Sequence, residues 1–144
     1  MPSLTLRQDQ PFDLERTLAC GQVFRWDRTA DGWWYGVVSG RVIKIRQDGN
    51  RLTFFGAPKS FIRTYFSLDE DLNAILASVD GDPFIHRSLQ ENRGLRLVRQ
   101  PPWECTVSYI CATNSNIPTI RRRIASIAKR CGSPVWFEGK TYYA

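Results

Sequence analysis

The sequence predicts an α+β protein, with an antiparallel sheet in its first half and helices in its second. Three observations lead there. Short polar turns, Asp31-Gly32, Ser39-Gly40 and Asp48-Gly49-Asn50, separate runs rich in β-branched and aromatic residues. Connections that short make neighbouring strands antiparallel. From Lys59 onward the apolar residues recur at helical spacing instead, and Pro101-Pro102 divides that helical half in two.

Taken in order, residues 5–7 read as an edge strand. Residues 12–20 read as a short helix with Leu14 and Leu18 on one face, ended by Gly21. Strands follow at 22–27, 33–38, 41–46 and 51–55; Ile43-Lys44-Ile45-Arg46 alternates as a half-buried strand should. Phe61, Ile62, Tyr65 and Phe66 place a helix over 59–66. Ser67 with Glu70 fits a capping box opening the next helix, which should bury Leu72, Ile75 and Leu76. Asp82-Pro83 interrupts it, and 84–90 forms another short helix. These helices should cover one face of the sheet.

Pro102 can open a helix because its missing N–H is not needed there. Residues 103–112 are then apolar almost all the way round, the pattern of a buried helix. Asn114-Ser115-Asn116 ends it and Ile117-Pro118 begins another. In that last helix Ile120, Ile124, Ile127, Ala128 and Cys131 form one stripe, and Arg121, Arg122, Ser126, Lys129 and Arg130 lie opposite, with Gly132 as C-cap. Two helices are too few for a self-sufficient bundle. The expected organisation is one unit over 1–100 and the incomplete start of a helical unit over 101–144, in a chain that is a fragment of a longer one.

The 144 residues carry 20 Lys and Arg against 14 Asp and Glu, a net charge of +6, which favours a polyanionic partner. Five Trp, five Tyr and eight Phe can fill a core and leave rings over for stacking on bases. Cys20, Cys105, Cys111 and Cys131 form no C-x-x-C pair, and His86 is the single histidine, so zinc spacing is absent and no metal is expected. The residues after Met1 contain no apolar signal core, and no apolar run approaches membrane-spanning length. A soluble, reduced protein is expected, cytoplasmic with the nucleoid or nuclear, monomeric, and needing no cofactor.

Two short motifs carry the chemistry. Gly21, in Cys20-Gly21-Gln22-Val23-Phe24-Arg25-Trp26, terminates a helix, and it also lets a ligand approach the backbone closely. Guanine presents N7 as an acceptor. A guanine oxidised at C8 presents an N7–H donor instead. A main-chain carbonyl aimed at N7 would attract the second and repel the first, a difference of about 1–3 kcal/mol. Asn114-Ser115-Asn116 reads as a C-cap followed by an N-cap, and equally as two amides on a rigid corner able to satisfy a base that has lost its partner. Arg121-Arg122-Arg123 is either a solvated face or a phosphate contact one turn beyond that corner. Trp33-Trp34-Tyr35 reads as core plus one exposed ring. Lys44, Lys59, Lys129 and Lys140 sit in outward-facing or turn-like positions, unlike the desolvated amine a Schiff base needs. G-x-S-x-G and phosphate-loop motifs are absent.

Phe12-Asp13-Leu14 with the Cys20–Trp26 motif, then Leu97-Val98-Arg99-Gln100-Pro101-Pro102-Trp103-Glu104-Cys105, then Ser108-Tyr109-Ile110-Cys111-Ala112-Thr113-Asn114-Ser115-Asn116-Ile117, resembles the 8-oxoguanine DNA glycosylases, in order along nearly the whole chain through Thr141-Tyr142. The resemblance implies a TATA-binding-protein-like antiparallel sheet domain followed by the start of a helix–hairpin–helix catalytic domain. It implies a partner, double-stranded DNA containing 8-oxoguanine. It also implies an activity in the parent protein: extrusion of the oxidised base, cleavage of its glycosidic bond by a lysine, and strand nicking by β-elimination. Gly21 matches the glycine whose carbonyl accepts the lesion N7–H. Asn114 matches the asparagine that contacts the orphaned cytosine, and Ser115 and Asn116 complete that loop. Thr119 stands where animal members have an arginine reading that cytosine, so Arg121 or Arg122 is expected to substitute or the opposite-base preference to loosen. No residue matches the nucleophilic lysine or its aspartate partner, so no catalytic residue is expected in this chain, and alone it should bind DNA without cleaving it. A non-enzymatic DNA-binding module with the same kind of sheet is the alternative.

Overall fold

A computed structural model describes residues 2–144. A five-stranded antiparallel sheet has the order β1-β5-β4-β3-β2, with β1 at Ser3–Thr5, β2 at Trp26–Arg28, β3 at Trp34–Val38, β4 at Arg41–Asp48 and β5 at Arg51–Phe55. The three expected turns join β2 to β3, β3 to β4 and β4 to β5. Register follows the period of two. Trp34, Gly36 and Val38 of β3 share a face with Ile43 and Ile45 of β4 and with Leu52 and Phe54 of β5.

Helix α1 (Leu14–Ala19) and helix α2 (Lys59–Tyr65) close that face. Leu14, Leu18, Ile62, Tyr65 and Phe66 pack with Trp26, Ile43, Ile45 and Phe54 into one buried core. Each such aliphatic side chain contributes about 1.5–3 kcal/mol by leaving water. Trp26 anchors the centre: its ring lies across Gly36, its Nε1–H donates to Tyr65 Oη at 3.0 Å, and Phe66 lies 6.0 Å away.

Several elements differ from expectation. The strand over 22–27 shrinks to Trp26–Arg28, because Gln22 spends its side chain and carbonyl on the neighbouring 96–100 segment rather than on a ladder. Asp71, not Ser67, caps helix α3 (Leu72–Val79), accepting from Ala74 N–H. Ser67 is buried with φ +52° and donates to Leu97 O, so no capping box forms. Leu72 is buried in α3, but Ile75 is exposed. Helix α4 (Pro83–Glu91) starts at Asp82, which caps it, and buries no residue.

Helix α5 (Pro102–Ala112) and helix α6 (Ile117–Cys131) pack as an antiparallel pair. Helix α5 is not the buried helix its composition predicts: only Ser108 and Cys111 are buried, while Trp103, Tyr109 and Ile110 face outward. The pair has one seam to fill, so its remaining apolar residues stay open. Along α6 the stripe is buried at Ile120 and Ile124 and open at Ile127 and Cys131.

The last segment is a hairpin that the sequence reading left without structure. Strands β6 (Pro134–Phe137) and β7 (Lys140–Tyr143) pair through a Glu138-Gly139 turn with φ +47° and +79°. Both central residues are left-handed, as a type I′ hairpin turn requires. The hairpin covers the second face of the sheet. Tyr142 stacks on Tyr35 at 6.5 Å with the rings 7° apart. Glu138 accepts from Lys44 Nζ at 2.8 Å and from Tyr35 Oη at 3.0 Å.

Candidate nucleic-acid interface

Gly21 follows α1 directly, after Cys20 at the C-cap, and holds φ +88°. A Cβ at this position would meet the Ile117 Cδ1 at 3.6 Å. Ile117 is the first residue of α6, and the amide corner immediately precedes it. The fold therefore brings the two motifs side by side although strands β2 to β5 lie between them in sequence. A small second core cements the contact: Cys111, Ile120 and Ile124 pack with Phe24, Val107 and Ala112, so the segment after Gly21 is seated on the helix pair.

At the corner the residues divide their tasks. Asn114 is exposed with φ +48°, a left-handed conformation Asn tolerates. Ser115 Oγ is buried and lacks a hydrogen-bond partner. Asn116 caps α6, its Oδ1 accepting from Thr119 N–H at 3.0 Å. Thr119 is half-buried, and its hydroxyl accepts a long 3.5 Å contact from Arg122.

The arginine run splits in three directions, as roughly 100° per helical residue requires. Arg121 turns inward, donating to Trp26 O at 2.7 Å and pairing with the Asp27 carboxylate. Arg123 donates to Cys111 O at 2.9 Å, near the end of α5. Arg122 stays exposed. The expectation of a solvent-facing Arg121 is therefore corrected: its guanidinium ties α6 to β2. A cleft of about 410 Å³ opens between α6, β2–β3 and the hairpin, lined by Arg25, Tyr35, Arg122 and Tyr142 among others; Gly21 lies outside that lining.

No lysine has the setting of a nucleophile. Lys44 is the half-buried one, and it sits 4.9 Å from the Trp33 ring centre and 5.4 Å from that of Tyr35. Hydrogen bonding to Glu138 and Tyr35 pushes its pKa up, which favours the ammonium and opposes what a Schiff-base amine needs. Lys59, Lys129 and Lys140 are exposed. His86 bonds Asp80 at 2.8 Å on exposed α4, far from the corner in sequence. Glu104, at the start of α5, has its carboxyl held above the usual range by burial, with Arg25 pulling the other way. Among the described residues no group of three metal-ligating side chains comes together, and no helix is long and apolar enough to cross a membrane.

Sequence reasoning missed the buried hydrogen-bond network beneath Gly21. Arg96 is 3% exposed, and its guanidinium donates to the carbonyls of Pro11, Ser67 and Glu70 and to Gln10 Oε1. Gln22 and Gln100 join it. A buried arginine bonded only to oxygens with no formal charge has no sequence pattern that marks it.

A sheet of this order followed by a helix pair and a hairpin is an architecture found in DNA-repair glycosylases. The apo Clostridium acetobutylicum 8-oxoguanine glycosylase/lyase superposes with a TM-score of 0.90 at 29% identity, covering 100% of this chain and 52% of that one. The same bacterial enzyme with dsDNA containing cytosine opposite 8-oxoG gives 0.87 at 30% identity, covering 92% and 47%. A profile described as 8-oxoguanine DNA glycosylase, N-terminal domain, matches residues 4–106, and the chain belongs to that family. The N-glycosylase/DNA lyase of Saccharomyces cerevisiae is 29% identical over 152 residues, covering 91% of this chain and 40% of the yeast protein. The chain thus spans about half the length of the solved relatives and less of the curated one.

Proposed function

We propose that this chain is the lesion-recognition part of an 8-oxoguanine DNA glycosylase/lyase. Residues 1–100 form the recognition domain and 101–144 begin the helical glycosylase domain. The carrying observation is the contact between Gly21 at φ +88° and Ile117, which puts the carbonyl-bearing turn and the amide corner on one surface. In this reading Gly21 O accepts the N7–H of an everted 8-oxoguanine. Asn114 satisfies the orphaned cytosine, with Ser115, Asn116 and Thr119 shaping the corner. Extruding a base costs a few kcal/mol, and an amide filling the vacancy offsets part of that. Arg122 supplies the phosphate contact, and Arg121 acts indirectly by fixing α6 to β2. The protein works where the genome is, on a bacterial nucleoid or in a nucleus, and the chain itself holds no catalytic residue.

Titration of the chain against 8-oxoguanine:cytosine and guanine:cytosine duplexes tests this. Binding should favour the lesion and weaken with salt, because phosphate contacts release counterions. Asn114→Ala, and Asn114→Gly to keep the left-handed backbone unstrained, should each cost about tenfold on the lesion duplex, the worth of one amide pair. Borohydride should trap no adduct. Equal losses on both duplexes would leave a DNA-binding module without lesion recognition; a trapped adduct would overturn the assignment of catalysis elsewhere.

A further inference from the structure

We propose that Gln22 is a positioning residue whose side chain locks the Gly21–Gln22 peptide plane and so aims the Gly21 carbonyl. The inference rests on the reading of Gly21 as the lesion-facing acceptor. A carbonyl that distinguishes a donor from an acceptor at N7 is useful only if its direction is fixed. Gly21 cannot fix it alone, because a residue without Cβ leaves both of its backbone torsions soft. The restraint has to come from the residue on the other side of the peptide.

Gln22 is held on every side. Its Nε2 donates to Thr17 O at 2.8 Å and to Arg96 O at 2.8 Å. Its Oε1 accepts from Val98 N–H at 2.9 Å, and its own main-chain oxygen accepts from Gln100 Nε2. Only one amide orientation serves all three side-chain partners, since two are carbonyls and one is an N–H. The partners are themselves rigid. Thr17 is fully buried in α1 and its hydroxyl accepts from Arg96 N–H at 3.2 Å. Arg96 is pinned by three carbonyls from two other segments. Gln22 therefore bridges the end of α1 to the 96–100 segment, and Gly21 is the link just before the bridge. Gln100 makes the last contact while its own Oε1 stays buried without a partner, so the donation to Gln22 O is the one hydrogen bond of its side chain.

Gln22→Glu keeps the shape and removes both donations, setting a carboxylate against two carbonyls. Gln100→Met removes the single donation to Gln22 O and is the milder variant should the first fail to fold. Each is titrated against 8-oxoguanine:cytosine and guanine:cytosine duplexes, with far-UV circular dichroism as the fold control. The lesion-over-guanine affinity ratio should fall about tenfold in Gln22→Glu and about threefold in Gln100→Met, with the change on the lesion side. A wild-type preference that both folded variants retain overturns this inference and leaves the functional reading standing. A wild-type chain with no preference overturns the functional reading itself, and this inference with it.

Discussion

Replacing Gly36 by alanine isolates the packing of Trp26, and so of the segment that follows Gly21, against the sheet. Gly36 pairs with Trp26 across β3 and β2, and a Cβ there would stand 2.2–2.4 Å from three atoms of the indole. Carbon atoms in contact sit about 3.5–4.0 Å apart, so the ring has to retreat by at least ~1 Å. Nothing behind it yields: Trp26 is fully buried, donates to Tyr65 Oη at 3.0 Å, and has the Tyr65 and Phe66 rings 6.0 Å away. Overfilling a packed core costs about 1–3 kcal/mol. Breaking the indole–phenol bond strands buried polar groups for about 1–3 kcal/mol more. Gly36→Ala should therefore lose about 2–6 kcal/mol, a large share of the ~5–15 kcal/mol that holds an ordinary domain together. Gly21→Ala is the contrast. Its Cβ meets only Ile117 Cδ1, at an ordinary 3.6 Å, leaving a backbone cost of about 1–2 kcal/mol at φ +88°. Urea unfolding followed by tryptophan fluorescence compares the two in one buffer. A loss in Gly36→Ala no larger than that in Gly21→Ala refutes the steric argument. Because Arg121 donates to Trp26 O, the displaced strand should also loosen the start of α6.

Two further expectations concern carboxyl groups. Hydrogen bonding to Lys44 holds the Glu138 carboxyl below its ordinary value, so its contribution is present above the unfolded value and fades as pH falls through the lowered folded one. Glu138→Gln should speed amide exchange across 134–143 while β3, β4 and β5 keep their protection; a uniform rise along the chain would show that the hairpin is not latched there. Burial lifts the Glu104 carboxyl, so the folded state keeps its proton longer than the unfolded state does. Stability then declines as pH rises from the unfolded value to the raised folded one and stays lower above it. Glu104→Gln should remove that decline, making the variant more stable than the parent near neutrality; melting curves that stay parallel from acid to neutral pH would refute it.

The sheet was legible because its signals are local. Asp31-Gly32, Ser39-Gly40 and Asp48-Gly49-Asn50 dictate hairpins, and the alternation through Ile43 and Ile45 sets the register. The α6 cap was legible for the same reason, since Asn116 serves the N–H three residues on. The closing hairpin was not, because Glu138-Gly139 lacks the usual Asn or Asp and its stability comes from Tyr35 and Lys44, about a hundred residues earlier. Helix α5 misled in the opposite sense: composition reports what a helix is able to bury, and Trp103 and Tyr109 show that ability without a neighbour to use it. The site divides along the same line. Gly21 and the amide corner stand out as motifs, whereas their contact through Ile117 and Phe24 is a property of the fold alone.

The arginines make the sharpest case. A net charge of +6 reads as a surface prepared for a polyanion, yet much of it is structural. Arg25, Arg96, Arg121 and Arg123 each donate to main-chain carbonyls, in Tyr143, in Pro11, Ser67 and Glu70, in Trp26, and in Cys111 respectively. These carbonyls lie at strand edges, helix ends and turns, where backbone ladders leave acceptors unpaired. A guanidinium has five donors and no acceptor, so it closes such gaps between segments that have no other reason to meet. Arg121 in this way joins α6 to β2, Arg123 joins α6 to α5, and Arg25 reaches the closing hairpin. Within the Arg121–Arg123 run only the middle residue makes no bond to a main-chain carbonyl. Part of the positive charge in this protein is therefore spent on holding its segments together, through the guanidinium bonds of Arg25, Arg96, Arg121 and Arg123 to main-chain oxygens. The selectivity we propose must then come from the direction of one carbonyl and the reach of one amide.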